Sequence, residues 1–173
     1  MAIKGNAYTK TKWVFEERPV ASSKLNTWDD RIEAALELIH YLLSISWGGG
    51  SGVIRKASTD DLKVFATSPA SLTVEVRPGY AFVSHYPYKL AATTQTAAVT
   101  PPVGNPRIDL VQARLETWDI SVKTGTPAAT PVAPSPDTNC LALAQLYLRP
   151  AMTVIKDTND GTNGYVTDAR VFL

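Results

Sequence analysis

The side chains able to do chemistry are few: two histidines, one cysteine and one oxygen-rich loop in a chain of 173 residues. His40 falls within a helical pattern and His85 near a strand end, and neither has a serine or cysteine beside it in a recognised nucleophile setting. A triad ignores sequence order, so a meeting in space stays open, but the pattern reads both histidines as surface or interface residues. Cys140 precedes an apolar run and reads as a small buried hydrophobe rather than a nucleophile. As the sole cysteine it allows no intrachain disulfide framework and no Cys-rich metal cluster. The stretch Asp157-Thr158-Asn159-Asp160-Gly161-Thr162-Asn163 is rich in oxygen ligands, and Asp168 stands where an EF-hand places its last one. Its glycine sits one place early, its last acid is Asp rather than Glu, and strand patterns flank it. A hairpin turning on Asp160-Gly161 and Asn163-Gly164 explains the same letters. No enzymatic activity and no cofactor are expected.

Composition narrows the partners. Hydrophobic residues make up 45% of the chain, enough for one main domain with a real core plus a short appendage. Seventeen basic residues against sixteen acidic ones give a formal net charge of +1. No basic face forms, so neither nucleic acid nor an anionic membrane is an expected partner. The first residues are polar after Met1-Ala2-Ile3, without a signal-peptide apolar core, and no apolar run reaches membrane-spanning length. The expectation is synthesis and folding in a reducing cytoplasm.

The elements that must carry these residues divide at a run of glycines. Residues 1 to 24 show no sustained period and read as an extended arm that displays Trp13, Val14 and Phe15. Thr27 to Trp47 reads as a helix of about 19 residues, capped by the Thr27 hydroxyl, with Asp29 and Asp30 in its first turn and Gly48-Gly49-Gly50 at its end. Leu25, Ile32, Leu36, Ile39 and Leu43 follow a 3,4 spacing, with Leu36 and Leu43 at a, Ile32 and Ile39 at d, and Trp28, Ala35 and Leu42 widening the stripe at g. Leucine at a with isoleucine at d leans toward three or four strands, yet only about two heptads are present. Two readings stay open: self-association through this face, or packing of the helix on its own β-domain. Gly48-Gly49-Gly50-Ser51-Gly52 reads as a hinge, setting a boundary between 1–52 and 53–173. No P-loop is formed there, since no Lys-Ser or Lys-Thr follows at the required spacing.

Beyond the hinge the period changes to two. Leu72, Val74 and Val76 alternate with polar neighbours, Pro78-Gly79 turns into Tyr80 to Val83, and Ile108 to Leu115 with Trp118 to Lys123 form a hairpin. Leu141 to Leu148 reads as a strand apolar on both faces, placed at the sheet centre or at a subunit contact. Met152 to Lys156 and Tyr165 to Leu173 would be the closing pair. Short strands without a second helix signal predict a mainly β fold: an antiparallel sandwich or barrel after the arm and amphipathic helix. Gly125 to Pro136, with prolines at 127, 131, 134 and 136, reads as a stiff extended loop strapped over the sandwich or onto a neighbour.

The order of these pieces is itself distinctive. Val74 to Gly79 as V-x-V-x-P-G, Pro106 to Val111 as a P-R-I-D-x-V strand, the G-T-P-A-rich loop Gly125 to Pro134 and the D-x-R at Asp168 to Arg170 together resemble the small β-domains of tail, baseplate and fibre proteins of tailed bacteriophages. Val20 to Asn26, with its Ala21, Leu25 and Asn26, is similar to the step from arm into helix in such subunits. The resemblance implies a virion protein of tail, baseplate or fibre attachment, assembled in the bacterial cytoplasm as a homotrimer. Ile32, Leu36, Ile39 and Leu43 would form the oligomer contact, and Trp13 and Phe15 on the arm would anchor to another virion protein. It also implies structural roles for Asp109 and Asp168, paired with Arg107 and Arg170 two residues away on the same strand face. A different class of reading is a binding module whose aromatics Tyr80, His85, Tyr86 and Tyr88 stack on a host-surface glycan. A capsid decoration or head-fibre protein would share the trimer and differ in its attachment.

Overall fold

The first element is a helix because its sequence offers helix formers without a break: from Ser22 to Ser46 there is neither glycine nor proline, and Ala, Leu and Glu recur. The computed structural model describes residues 22–46, 50–54 and 59–173. Helix α1 spans Ser22–Ser46, 25 residues, so it starts before the expected Thr27 and takes in the last residues assigned to the arm. Thr27 is not its cap. Its hydroxyl lies inside the helix and donates to the Ser23 carbonyl at 2.7 Å, a bond that replaces capping and leaves Asp29 and Asp30 beyond the first turn. The chain divides into two units, Met1–Gly48 and Gly49–Leu173, each described here by itself.

Among the described residues the second unit holds eleven strands: β1 (Gly52–Ile54), β2 (Val64–Ala66), β3 (Val74–Val76), β4 (Gly79–Val83), β5 (Tyr86–Leu90), β6 (Thr94–Gln95), β7 (Arg107–Arg114), β8 (Asp119–Lys123), β9 (Cys140–Leu148), β10 (Ile155–Lys156) and β11 (Gly164–Asp168). They form three sheets, ordered β1-β4-β5, β2-β3-β6 and β10-β11-β9-β7-β8. With one helix and three sheets among the described residues, the fold is mainly β. The Pro78-Gly79 step does not fold β3 back onto β4; it passes the chain between sheets, since β3 pairs with β2 and β6 while β4 pairs with β1 and β5.

The β7–β8 hairpin forms antiparallel as its alternation predicts, with Val111 opposite Val122 and Ala113 opposite Ile120. β9 takes the centre of its sheet, yet it is not apolar on two faces. A register shift against β7 falls between Val111 and Gln112, so that Val111 faces Ala144 while Gln112 faces Ala142. The extra residue rephases the strand, and Leu141, Leu143, Leu146 and Leu148 all enter one core. Cys140, Ala142, Gln145 and Tyr147 are left half-buried. That core also takes Val53, Val74, Val76, Val83 and Ile155, so all three sheets contribute to it.

The closing pair departs from a hairpin. β10 and β11 run parallel, Ile155 opposite Gly164, because the loop between them returns the chain in the same direction. Residues after β11 leave that sheet and lace onto β1: Val53 donates to the Val171 carbonyl at 2.7 Å and accepts from Leu173 at 3.1 Å. Gly52, the last hinge glycine, is therefore a strand residue, and a Cβ there would lie 2.7 Å from the Leu173 side chain.

Candidate functional site

The polar groups of the β unit gather where strand ends meet loops, and the most buried of them is an ion pair on β7. Arg107 and Asp109 stand two apart, which in a strand puts both on one face. Arg107 Nε donates to Asp109 Oδ1 at 2.8 Å and Nη2 to Oδ2 at 3.0 Å, a two-bond fork. The side chains are 12% and 1% exposed, so the carboxylate is shielded from water and the guanidinium meets it only at one edge. Each then ties down a different stretch of chain. Arg107 Nη2 also reaches the Thr100 carbonyl at 2.7 Å, and Asp109 Oδ1 accepts the Gly125 N–H at 2.9 Å. Gly125 has to be glycine, since a Cβ would sit 2.0 Å from the Ile108 carbonyl oxygen. The pair thus fixes the start of the proline loop, which is further held by Ala128 N–H on the Pro106 carbonyl at 3.0 Å.

A second pair repeats this arrangement after β11. Arg170 Nε and Nη2 donate to the two oxygens of Asp168 at 2.9 and 2.7 Å, and the Arg170 N–H adds a third bond at 3.0 Å. Arg170 Nη1 crosses to the carbonyls of Thr59 and Asp61 at 2.9 and 2.6 Å, joining the last strand to the loop before β2. The Arg170 side chain beside Asp168 holds that carboxyl below the usual carboxylate range. Both Arg–Asp pairs are structural clasps, and the Asp and Arg two apart on P-R-I-D and D-x-R were the signal for them.

A third junction gave no such signal. Gln112, fully buried in β7, donates to Asp137 Oδ2 at 2.6 Å and accepts the Asp137 N–H at 3.0 Å through Oε1. Lys123 closes the other Asp137 oxygen at 2.6 Å, and these bonds hold the Asp137 carboxyl low. The far end of the proline loop is fastened here. Both ends of that loop are therefore strapped to the chain's own sheet. A lone glutamine inside I-D-L-V-Q-A-R was the available cue.

Cys140 and the oxygen-rich loop are both engaged in local packing and hydrogen bonding. Cys140 is half-buried, and its burial together with the Asp137 carboxylate pushes the thiol pKa up, away from the thiolate a nucleophile needs. In the oxygen-rich loop, Asp160 accepts from Thr162 N–H, Asn163 N–H and Asn163 Nδ2 at 2.8 to 2.9 Å and pairs with Lys156 at 2.8 Å. These bonds hold Asp160 well below the carboxylate range. The loop is thus an Asp-centred turn rather than a hairpin tip, and Asp168, the EF-hand counterpart, spends both oxygens on Arg170. Among the described residues no three His, Cys, Asp or Glu side chains converge on a metal position. Arg149 covers the loop's base, its guanidinium 5.0 and 5.4 Å from the rings of Tyr147 and Tyr165, which stack at 5.2 Å.

The expected aromatic patch loses one of its four members, Tyr88, to the core. Tyr88 is buried at 1% exposure and donates its hydroxyl to the Asp119 carbonyl at 3.1 Å; burial raises its pKa. Its ring is needed in the core, because Tyr88 alternates with Leu90 on the inward side of β5. Only Tyr80 of the four is exposed.

On the helix, the residues expected at an oligomer contact fall along one stripe. Ile32, Leu36, Ile39 and Leu43 are 44, 47, 44 and 41% exposed, beside the exposed Trp28, Leu42 and Ile45. Trp13 and Phe15 lie outside the described residues. No helix among the described residues is long and apolar enough to cross a membrane. No protein-family model, curated protein or solved structure matches the chain.

Proposed function

We propose that this chain is a structural subunit of a tailed-bacteriophage virion, of the tail, baseplate or fibre attachment, which associates as a homotrimer through α1. The observation that carries the reading is the exposed stripe Ile32, Leu36, Ile39 and Leu43. Large apolar side chains at a and d positions on a 25-residue helix are costly to leave in water, and three such helices bury them on one another. The β unit supports the same reading. Its buried polar groups are spent on fastening loops, and its sheets pack as a sandwich-like body that projects from or bridges the particle. In this reading the chain binds other virion proteins through its arm, with Trp13 and Phe15 as anchors, and catalyses no reaction. The resemblance described above supplies the particle, and the stripe supplies the assembly.

The test is the mass in solution. Leu36→Asp with Ile39→Asp places charge in the helix contact and is expected to turn a trimer into a species near 18.7 kDa by light scattering. An unchanged mass removes the helix as the association element. Detection of the chain in purified particles by mass spectrometry tests the location.

A further inference from the structure

The five-stranded sheet ends on β8, and among the described residues no strand pairs with its outer side. Such an edge presents a row of backbone N–H and C=O groups that an extended segment can complete. Beside it lies a groove of about 490 Å³, bounded by the stretch 96–100, by the Arg107–Asp109 pair and by residues 120–122 and Thr124 at β8 and its end. The Ile120 and Val122 side chains pack against the core yet stay half-buried, and the opposite wall at Ala97 and Ala98 is made of small residues. The core flank at this edge has room for large side chains.

We propose that the groove takes residues 12–16 from the arm of a second copy of the chain, added parallel to β8 as a sixth strand. The proposal rests on the trimer reading and gives Trp13 and Phe15 a second copy of the chain as partner in place of another virion protein. Two five-residue stretches carry it: Asp119-Ile120-Ser121-Val122-Lys123 on the edge and Lys12-Trp13-Val14-Phe15-Glu16 on the arm. Laid parallel, Lys12 meets Asp119 and Glu16 meets Lys123, opposite charges at both ends. Laid antiparallel, the same ends would set Lys12 on Lys123 and Glu16 on Asp119, so charge selects the direction.

The strand period then sorts the faces without further assumption. Trp13 and Phe15, two apart, fall beside Ile120 and Val122 on the groove side, while Lys12, Val14 and Glu16 fall with Asp119, Ser121 and Lys123 on the other. The existing partners on β8 leave room for this. Arg114 and Thr117 both approach Asp119 through Oδ1, and the Lys123–Asp137 pair is solvent-accessible. An arm passed from each copy to the next is a heterologous contact, and with cyclic three-fold symmetry it closes after three steps.

Disulfide trapping in the full chain tests it, with Cys140→Ser removing the native thiol. One chain carries Val14→Cys and a second, lengthened by a tag, carries Ser121→Cys, so that only a contact between copies yields the mixed species on a non-reducing gel. The mixed dimer is expected at least tenfold faster than with Thr162→Cys, an exposed loop position, in the second chain. Trp13→Ser with Phe15→Ser should abolish the difference. Lys12→Glu with Glu16→Lys should lower the rate, and Asp119→Lys with Lys123→Glu should restore it. If that β8 variant fails to fold, the arm substitutions decide alone. Equal rates at positions 121 and 162, or a rate at 121 indifferent to the arm substitutions, overturns the docking. Light scattering on the same samples separates the levels: a monomer overturns trimer and exchange together, whereas a trimer that gives no mixed dimer overturns the exchange alone.

Discussion

The helix and the β unit treat their awkward groups in opposite ways. On α1 the awkward groups are apolar and stand in water along a stripe. In the β unit they are charged or polar and sit inside, where each has found a partner, and no buried side-chain nitrogen or oxygen among the described residues lacks one. A surface with unmet apolar demand points outward to another molecule, while an interior with every polar demand met points to rigidity. Under the trimer proposed above, α1 serves association and the β unit serves shape.

That contrast is broken most directly at the buried clasp. Asp109→Ala strands the Arg107 guanidinium at 12% exposure and leaves the Gly125 N–H without its acceptor, so the β unit is expected to lose about 3–5 kcal/mol in denaturant unfolding. A loss below about 1 kcal/mol would mean that water reaches the pair and that the interior is not closed. Gly125→Ala tests the same junction through its backbone. The added Cβ cannot coexist with the Ile108 carbonyl at 2.0 Å, and the displaced loop should cost about 1–3 kcal/mol. Unfolding curves coincident with the parent would show that the loop start can shift freely.

How far these features could be read beforehand follows from the range of the interaction concerned. The i,i+2 pairs Arg107–Asp109 and Asp168–Arg170 were legible because opposite charges two apart are a local fact, though Arg170 lies just past the end of β11 rather than on its face. The stripe on α1 was legible for the same reason, through its 3,4 spacing. The helix start was missed because Thr27 suits a cap and a back-bonded interior position equally well, and nothing local decides between them. The phase change in β9 was not legible, since the bulge that gathers all four leucines depends on the pairing with β7. Tyr88 looked like part of a surface patch until β5 turned it inward, and the parallel run of β10 against β11 depends on where the Asp160 turn returns the chain.

A smaller effect sharpens the comparison from the other side. With the arm's Trp13 and Phe15 already replaced by Ser, Leu36→Asp with Ile39→Asp should leave the unfolding free energy of the β unit within about 0.5 kcal/mol, the additivity expected of sites that share no partner. A larger change would show that the helix face supports the β core. The smallest expected effect is in acid. The Asp168 pKa is depressed in the folded state, so its contribution is fully present above the ordinary carboxylate value near about 4 and fades as pH falls through the lower folded value. Asp168→Asn should therefore flatten the loss of stability below about pH 4 and leave the slope near neutrality unchanged. A melting-temperature profile against pH that is identical in parent and variant would remove Asp168 from the acid response.

The lacing of Val53 between Val171 and Leu173 has a consequence in time rather than in space. β1 is among the first parts of the β unit to leave the ribosome, and two of its backbone bonds await residues at the far end. Closure of so long a loop comes late and slowly. Until then Gly52 to Ile54 hold only their β4 pairing, and the nascent unit keeps one flank open. A released chain truncated before Val171 should therefore have β1 amides that exchange quickly while β7 and β9 are already protected.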